Sequence, residues 1–289
     1  MSKLLRPDTK DLGEFQVARV LPNAEKTMVG PFVFFDHMGP AKFEPGNGVN
    51  VRPHPHIGLA TVTYLFDGSI LHRDSLGSVQ EIFPGDVNWM TAGKGIVHSE
   101  RETLEVRATP HSLHGIQCWL ALPEQLTEIE PSFVHVKKCN LPHILCEGVM
   151  MRLIAGDAFG RSSPIKVFSP MFYLDVVAQA GSTVGRPNPS QEAALYIESG
   201  KLSLAGQSYR GGDFVLLDES DTDIVVVDNA RFLLLGGERF DKVPHLHWNF
   251  VAYSREKIAE ARQQWQDNRF PPIPGDEEEY IPLPPAPKA

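Results

Sequence analysis

The stretch 52-RPHPHIGLATVTYLFDG-68 decides how this chain is read. His54 and His56 sit two apart at the head of a run rich in Val, Thr, Tyr, Leu and Phe. That run ends on Asp67-Gly68, a turn signal. Side chains at i and i+2 of a strand share a face, so the two imidazoles can aim at one point, as two ligands of a metal would. Two solvated histidines beside prolines would look the same, so the decision rests on whether further ligands exist.

They do. The segment 91-TAGKGIVHSERET-103 supplies His98 and Glu100, again two apart, behind the apolar pair Ile96-Val97. If hairpin material separates two strands of one barrel, the two pairs can face each other. Three imidazoles and one carboxylate suit a divalent transition metal such as Fe, Mn, Cu, Ni or Zn, and an octahedral ion so held keeps two open positions. Ser99 points to the opposite face and forms no hydrolase triad. Gly93-Lys94-Gly95 lacks the P-loop spacing and reads as the turn that delivers His98. His72, Asp74 and His111 read as polar residues at the barrel mouth at most, with His72 a hydrogen-bonded surface histidine. Trp89 and Trp119 read as core aromatics.

The rest of the chain is short β runs punctuated by turns. The 24 glycines and 24 prolines are spread along the length, between runs such as HGIQCWLALP, FYLDVVAQAG, GDFVLLDES and ARFLLLGG. Regular short strands with turn signals predict an all-β sandwich or barrel. A loose internal echo, with Pro84-Gly85-Asp86 matching Gly211-Gly212-Asp213, reads as two tandem copies of one β-domain. The boundary is placed in Leu122–Phe133, giving domains 1–130 and 131–289. Ser254 is a candidate N-cap for a helix over REKIAEARQQWQDN, with Ile258, Ala261 or Arg262, and Trp265 on one face. Asp276–Glu279 (DEEE) reads as a solvated acidic loop in a proline-rich tail.

Composition sets limits. The chain has 289 residues, 42% hydrophobic and 22% charged, with a formal net charge of −9. That balance disfavours direct nucleic-acid contact and binding to anionic membranes. Cys118, Cys139 and Cys146 are too few and too odd for a disulfide framework, read as small buried residues, and fit a reducing cytoplasm. The first residues read as no secretory signal, and no run approaches a membrane span.

The spacing carries a resemblance. Gly48, His54-Pro55-His56, Thr61 and Gly68 follow the first motif of cupin barrels except that Thr61 replaces a ligand Glu. Gly85 and Thr91-Ala92-Gly93 follow the second with Thr for Pro, and His98 falls two residues late. Glu100 restores the missing carboxylate by another route. With PFVFFDHMGP, HPHIGLATVTYLFDGSILHRDS and PGDVNWMTAGKGIVHSE, the chain resembles the pirin family of bicupins, strongly from about Gly30 to Leu122 and more weakly beyond. The resemblance implies two tandem cupin (double-stranded β-helix or jelly-roll) barrels with a C-terminal helix. It implies one divalent metal per chain, Fe(II) foremost, on His54, His56, His98 and Glu100. It implies a second barrel that has lost its metal. There Arg186-Pro187-Asn188 stands where a His-x-His would be, and His245-Leu246-His247 lies outside the frame and reads as structural. Phe34, Asp36 and Gln117 match family positions that line the pocket. The activity implied is a quercetin 2,3-dioxygenase, cleaving a flavonol with O2 and releasing CO, with Glu100 as general base. The alternative implied is an iron-dependent redox-sensing protein acting through a protein partner.

Overall fold

The computed structural model describes residues 2–11 and 15–285. The punctuated runs form antiparallel strands, and the chain is all-β apart from short helical turns and the helix Arg255–Gln266. Among the described residues no helix is long and apolar enough to cross a membrane.

By packing, the chain divides into two compact units. One comprises residues 9–18, 35–135 and 241–289, the other 1–8, 19–34 and 136–240. This differs from a single cut near residue 130. The segment Lys3–Leu5 pairs with Phe214–Leu216, so the N-terminus joins the later unit. The helix Arg255–Gln266 instead packs Ile258 and Ala261 against Ile57, Phe250 and Ala252, so it joins the earlier one.

The earlier unit carries the histidine stretches. A four-stranded sheet runs in the order Asn50–His56, Ile96–Arg101, Ile70–Asp74, Val79–Ile82. Leu59–Asp67 lies in a second sheet between Val87–Thr91 and His111–Ala121. Ile70 and Ile82 of the first sheet pack with Met38, Phe43, Leu65 and Leu113 of the second, the interdigitation that closes a two-sheet barrel. A bulge matters here. His98 pairs with His54, but Glu100 pairs with Val51, so the strand Asn50–His56 carries an extra residue around Arg52-Pro53. Proline has no N–H to lose from the ladder, which makes it a suitable residue for such a position.

In the later unit the corresponding interior is apolar. Leu153, Phe172, Leu174, Leu195, Ile197, Phe232 and Leu234 fill it, all fully buried.

Two further expectations need correction. Only Cys118 is buried; Cys139 and Cys146 are exposed, on a short turn and an outer strand that leave them no core to enter. The acidic DEEE segment is not simply solvated. Asp276 accepts hydrogen bonds from Ser99 Oγ (2.7 Å) and from Arg101 Nε (3.0 Å) and Nη2 (2.9 Å), and Glu279 also accepts from Arg101 Nη2. The tail is drawn down because Ser99 and Arg101 are the outward residues of the strand whose inward residues are His98 and Glu100. Ile281 N–H donates to the Pro53 carbonyl (2.8 Å), so the same tail also holds the bulged strand.

Candidate metal centre

Strand period and register assemble the centre. His54 and His56 share a face by spacing, and His98 stands directly across the ladder from His54. The ring centroids are 5.0 Å apart for His54–His56, 4.4 Å for His54–His98 and 4.9 Å for His56–His98. One nitrogen from each ring lies within 4.8 Å of the others, and among the described residues no other group of three His, Cys, Asp or Glu side chains converges this way. Gly93 and Gly95 make the turn ahead of His98. Gly93 has φ +51°, and a Cβ there would meet the Ile129 carbonyl oxygen at 2.0 Å.

The rings are buried: His54 is 6% exposed, His56 0% and His98 1%. Burial pushes the His54 pKa down to about 4, against the opposing effect of its bond to a backbone carbonyl. Burial, and then the neighbouring imidazoles, hold His56 and His98 well below the usual histidine value. All three are therefore neutral at pH 7, the form that ligates. His54 Nδ1 lies 2.8 Å from the Arg52 carbonyl, to which it donates, leaving its Nε2 lone pair open. Both nitrogens of His56 and Nε2 of His98 are buried without a hydrogen-bond partner. Orphaned buried polar atoms are costly, and a cation held by one nitrogen of each ring would satisfy His98 Nε2 and one of the two on His56. The donor set fits the group.

Glu100 does not join the cluster of ligand atoms. Its Oε1 accepts from Thr63 Oγ1 (3.2 Å) and Gln117 Nε2 (3.3 Å), and Thr63 Oγ1 is also 2.7 Å from Gln117 Oε1. The bulge between the His98 and Glu100 pairings gives Glu100 a different partner register from the histidines. Burial raises its pKa, opposed by His72 and by the bonds from Thr63 and Gln117. Trp119 is buried as expected, and its ring meets His56 edge-on at 5.0 Å.

Of the three expected pocket residues, Gln117 touches the centre through Glu100. Asp36 is buried on the strand Phe32–Phe43. Phe34 packs in the other unit, its ring beneath the Arg19 guanidinium at 4.4 Å.

His72 was misread as a surface residue. It is 3% exposed, with Nε2 2.9 Å from Asp74 Oδ2, Nδ1 3.5 Å from His98 Nδ1, and its ring stacked on Phe133 at 4.2 Å. Burial works against ionisation of Asp74, but the bonds from His72 and from the Ser78 N–H outweigh it and hold the carboxyl below its ordinary value. A signal was available in the sequence: ILHRD alternates Ile70, His72, Asp74 inward. What the sequence could not give is that this strand pairs with Ile96–Arg101, setting Asp74 across from His98 and His72 across from Glu100. His111, also placed at the mouth, instead lies 2.9 Å from the buried carboxylate of Glu102.

In the later unit, Arg186 occupies the position of the absent His-x-His. Its guanidinium donates to the carbonyls of Asp218 (2.9 Å) and Gln191, a structural role. His247 contacts the Arg262 guanidinium, and His245 is exposed.

One β unit with a buried three-histidine centre and a second filled with apolar side chains define a bicupin. The family profile named Pirin matches residues 14–120, and that of the Pirin C-terminal cupin domain matches residues 173–271. The chain belongs to the pirin family. It is 44% identical over 283 residues to a pirin-like protein of Caulobacter vibrioides, covering 95% of this chain and 96% of that protein. It is 31% identical to human pirin over 272 residues, covering 90% and 89%. A crystal structure of quercetin 2,3-dioxygenase from Acinetobacter baumannii superposes with a TM-score of 0.90 at 34% identity, covering 100% of this chain and 96% of that one.

Proposed function

We propose that this chain is a metal-dependent dioxygenase that opens quercetin-type flavonols with O2 and releases CO. The observation that carries the reading is the convergence of three buried, neutral imidazoles, two of them with unpartnered nitrogens, beside a carboxylate whose pKa burial has raised. The likeness to the Acinetobacter quercetin 2,3-dioxygenase supports the substrate class.

In this reading His54, His56 and His98 hold a divalent transition metal, Fe(II) foremost, and Glu100 lies beside it. The metal supplies Lewis acidity and a partner for O2. The chain's own residues do the rest. Thr63 and Gln117 bind Glu100 through Oε1 and leave Oε2 to take the proton of the flavonol 3-hydroxyl. A carboxyl raised toward neutrality is a stronger base than a solvated one, and the two bonds fix where it points. Trp119, edge-on to His56, keeps the wall on that side apolar.

The test is anaerobic loading with Fe(II), then admission of air to protein with quercetin, following the flavonol absorbance and evolved CO. Metal-dependent loss of the band with CO is expected, and a His56→Ala control should lose both bound metal and turnover. Bound iron without turnover would refute the dioxygenase reading and favour a redox-sensing protein with a macromolecular partner. Metal retained in full by His56→Ala would refute the ligand set.

A further inference from the structure

We propose that the buried pair Asp74–His72 selects which nitrogen of His98 is offered to a metal, acting as a positioning relay outside the ligand set. The proposal rests on reading His98 as a ligand. Its starting point is a difference between the histidines. His54 is oriented by a backbone carbonyl 2.8 Å from Nδ1, whereas the partner of His98 Nδ1 is another imidazole, His72, at 3.5 Å. An imidazole can donate or accept there, so something must decide the direction.

Asp74 decides it. Its Oδ1 accepts from the N–H groups of Leu76 (2.9 Å) and Ser78 (3.0 Å), which fixes the carboxylate and leaves Oδ2 facing His72 Nε2 at 2.9 Å. An ionised carboxylate only accepts, so the proton of His72 is on Nε2. A neutral His72 then carries its lone pair on Nδ1 and accepts from His98 Nδ1–H. The lone pair of His98 is thereby placed on Nε2, the buried atom that has no partner in the protein. Phe133, stacked on His72 with the ring planes 10° apart, holds the relay in plane. Carboxylates behind ligating histidines also raise the basicity of the ligand.

The relay can be reversed by one atom. In Asp74→Asn the amide oxygen can keep the bonds from Leu76 and Ser78, which presents NH2 to His72. His72 must then accept at Nε2 and donate from Nδ1, and His98 must accept at Nδ1 and carry its proton on Nε2, where it blocks ligation. The experiment uses full-length, metal-free protein labelled with 15N-histidine and long-range 1H–15N NMR, which separates the two tautomers. Wild type should show His98 protonated on Nδ1 and His72 on Nε2. Asp74→Asn should show both reversed, with Fe(II) affinity, measured anaerobically against a competing chelator, lowered 10- to 100-fold. His72→Phe, which keeps an aromatic ring against Phe133, should leave His98 in mixed tautomers with a smaller loss of affinity.

The wild-type spectrum tests the relay without any variant. A His98 proton on Nε2, or a doubly protonated His72, overturns it. So does an unchanged His98 tautomer in Asp74→Asn. A tautomer that reverses while Fe(II) affinity holds overturns the proposal from the other side. The relay would then exist without serving a ligand, and it is the metal reading of His98 that would have failed.

Discussion

Acidification of the metal-free protein should cost stability at the centre itself, and one histidine is enough to measure it. His56 is fully buried, and burial followed by the neighbouring His54 holds its pKa well below 6.5. A histidine depressed in the folded state binds its proton more readily in the unfolded chain. Its contribution is therefore fully present above pH 6.5 and is lost as pH falls through the window below it. At pH 5 an unfolded histidine of pKa 6.5 gains about 2 kcal/mol from protonation relative to pH 8, and a folded one that stays neutral gains nothing. His54 and His98 are depressed in the same sense, so all three contribute to the loss on acidification. Glu100 and Glu102, raised by burial, work in the opposite direction over part of this range, so the total curve does not isolate the effect. The difference between wild type and His56→Phe does. Phe keeps a ring against Trp119 and does not titrate. Urea unfolding of both metal-free proteins at pH 8, 7, 6 and 5 should show wild type losing about 2 kcal/mol more than the variant between pH 8 and 5. A gap that stays constant with pH, or that moves the other way, would refute the argument that the buried imidazole is neutral in the fold.

Glu100→Gln should retain bound metal, because the three imidazoles remain, while flavonol turnover falls about 10²–10⁴-fold, the usual worth of a general base; equal kcat in the variant removes Glu100 from that role. Gly93→Ala should cost about 1–3 kcal/mol in chemical denaturation, since φ is +51° and the new Cβ would meet the Ile129 carbonyl at 2.0 Å, and it should lower metal occupancy because this turn precedes His98. Ser254→Ala should lower stability by about 1 kcal/mol in thermal or urea unfolding, because Ser254 Oγ accepts the Lys257 N–H (3.2 Å) at the start of the C-terminal helix.

The readable parts of this protein were those with a short period. His54 and His56 share a face whatever surrounds them, because side chains on a strand alternate, and the structure keeps both in one cluster with His98. The C-terminal helix was legible from its cap and apolar face, and Ser254, Ile258 and Ala261 behave as expected. Arg186, at the place of a second histidine pair, bonds the carbonyls of Asp218 and Gln191. By contrast, His72 and Asp74 have the right alternation, but their pairing partner is not visible locally; the sequence places both at the barrel mouth, His72 as a surface residue, and the structure buries both. The same is true of Asp276, whose acidic surroundings suggested solvent until Ser99 and Arg101 claimed it.

Sequence alone therefore determined the all-β class, the two-copy plan and the three imidazoles, since these follow from alternation, turn chemistry and spacing within a few residues. Tertiary structure decided the rest. It set His98 opposite His54, used the bulge at Arg52-Pro53 to give Glu100 its own register, brought Asp74 and His72 in behind His98, and folded the tail back over the outer face of the same strand. The physical reason is that strand pairing joins residues far apart in the chain. Which strands pair, and in which register, is fixed by burial of whole faces at once, a quantity no local window contains.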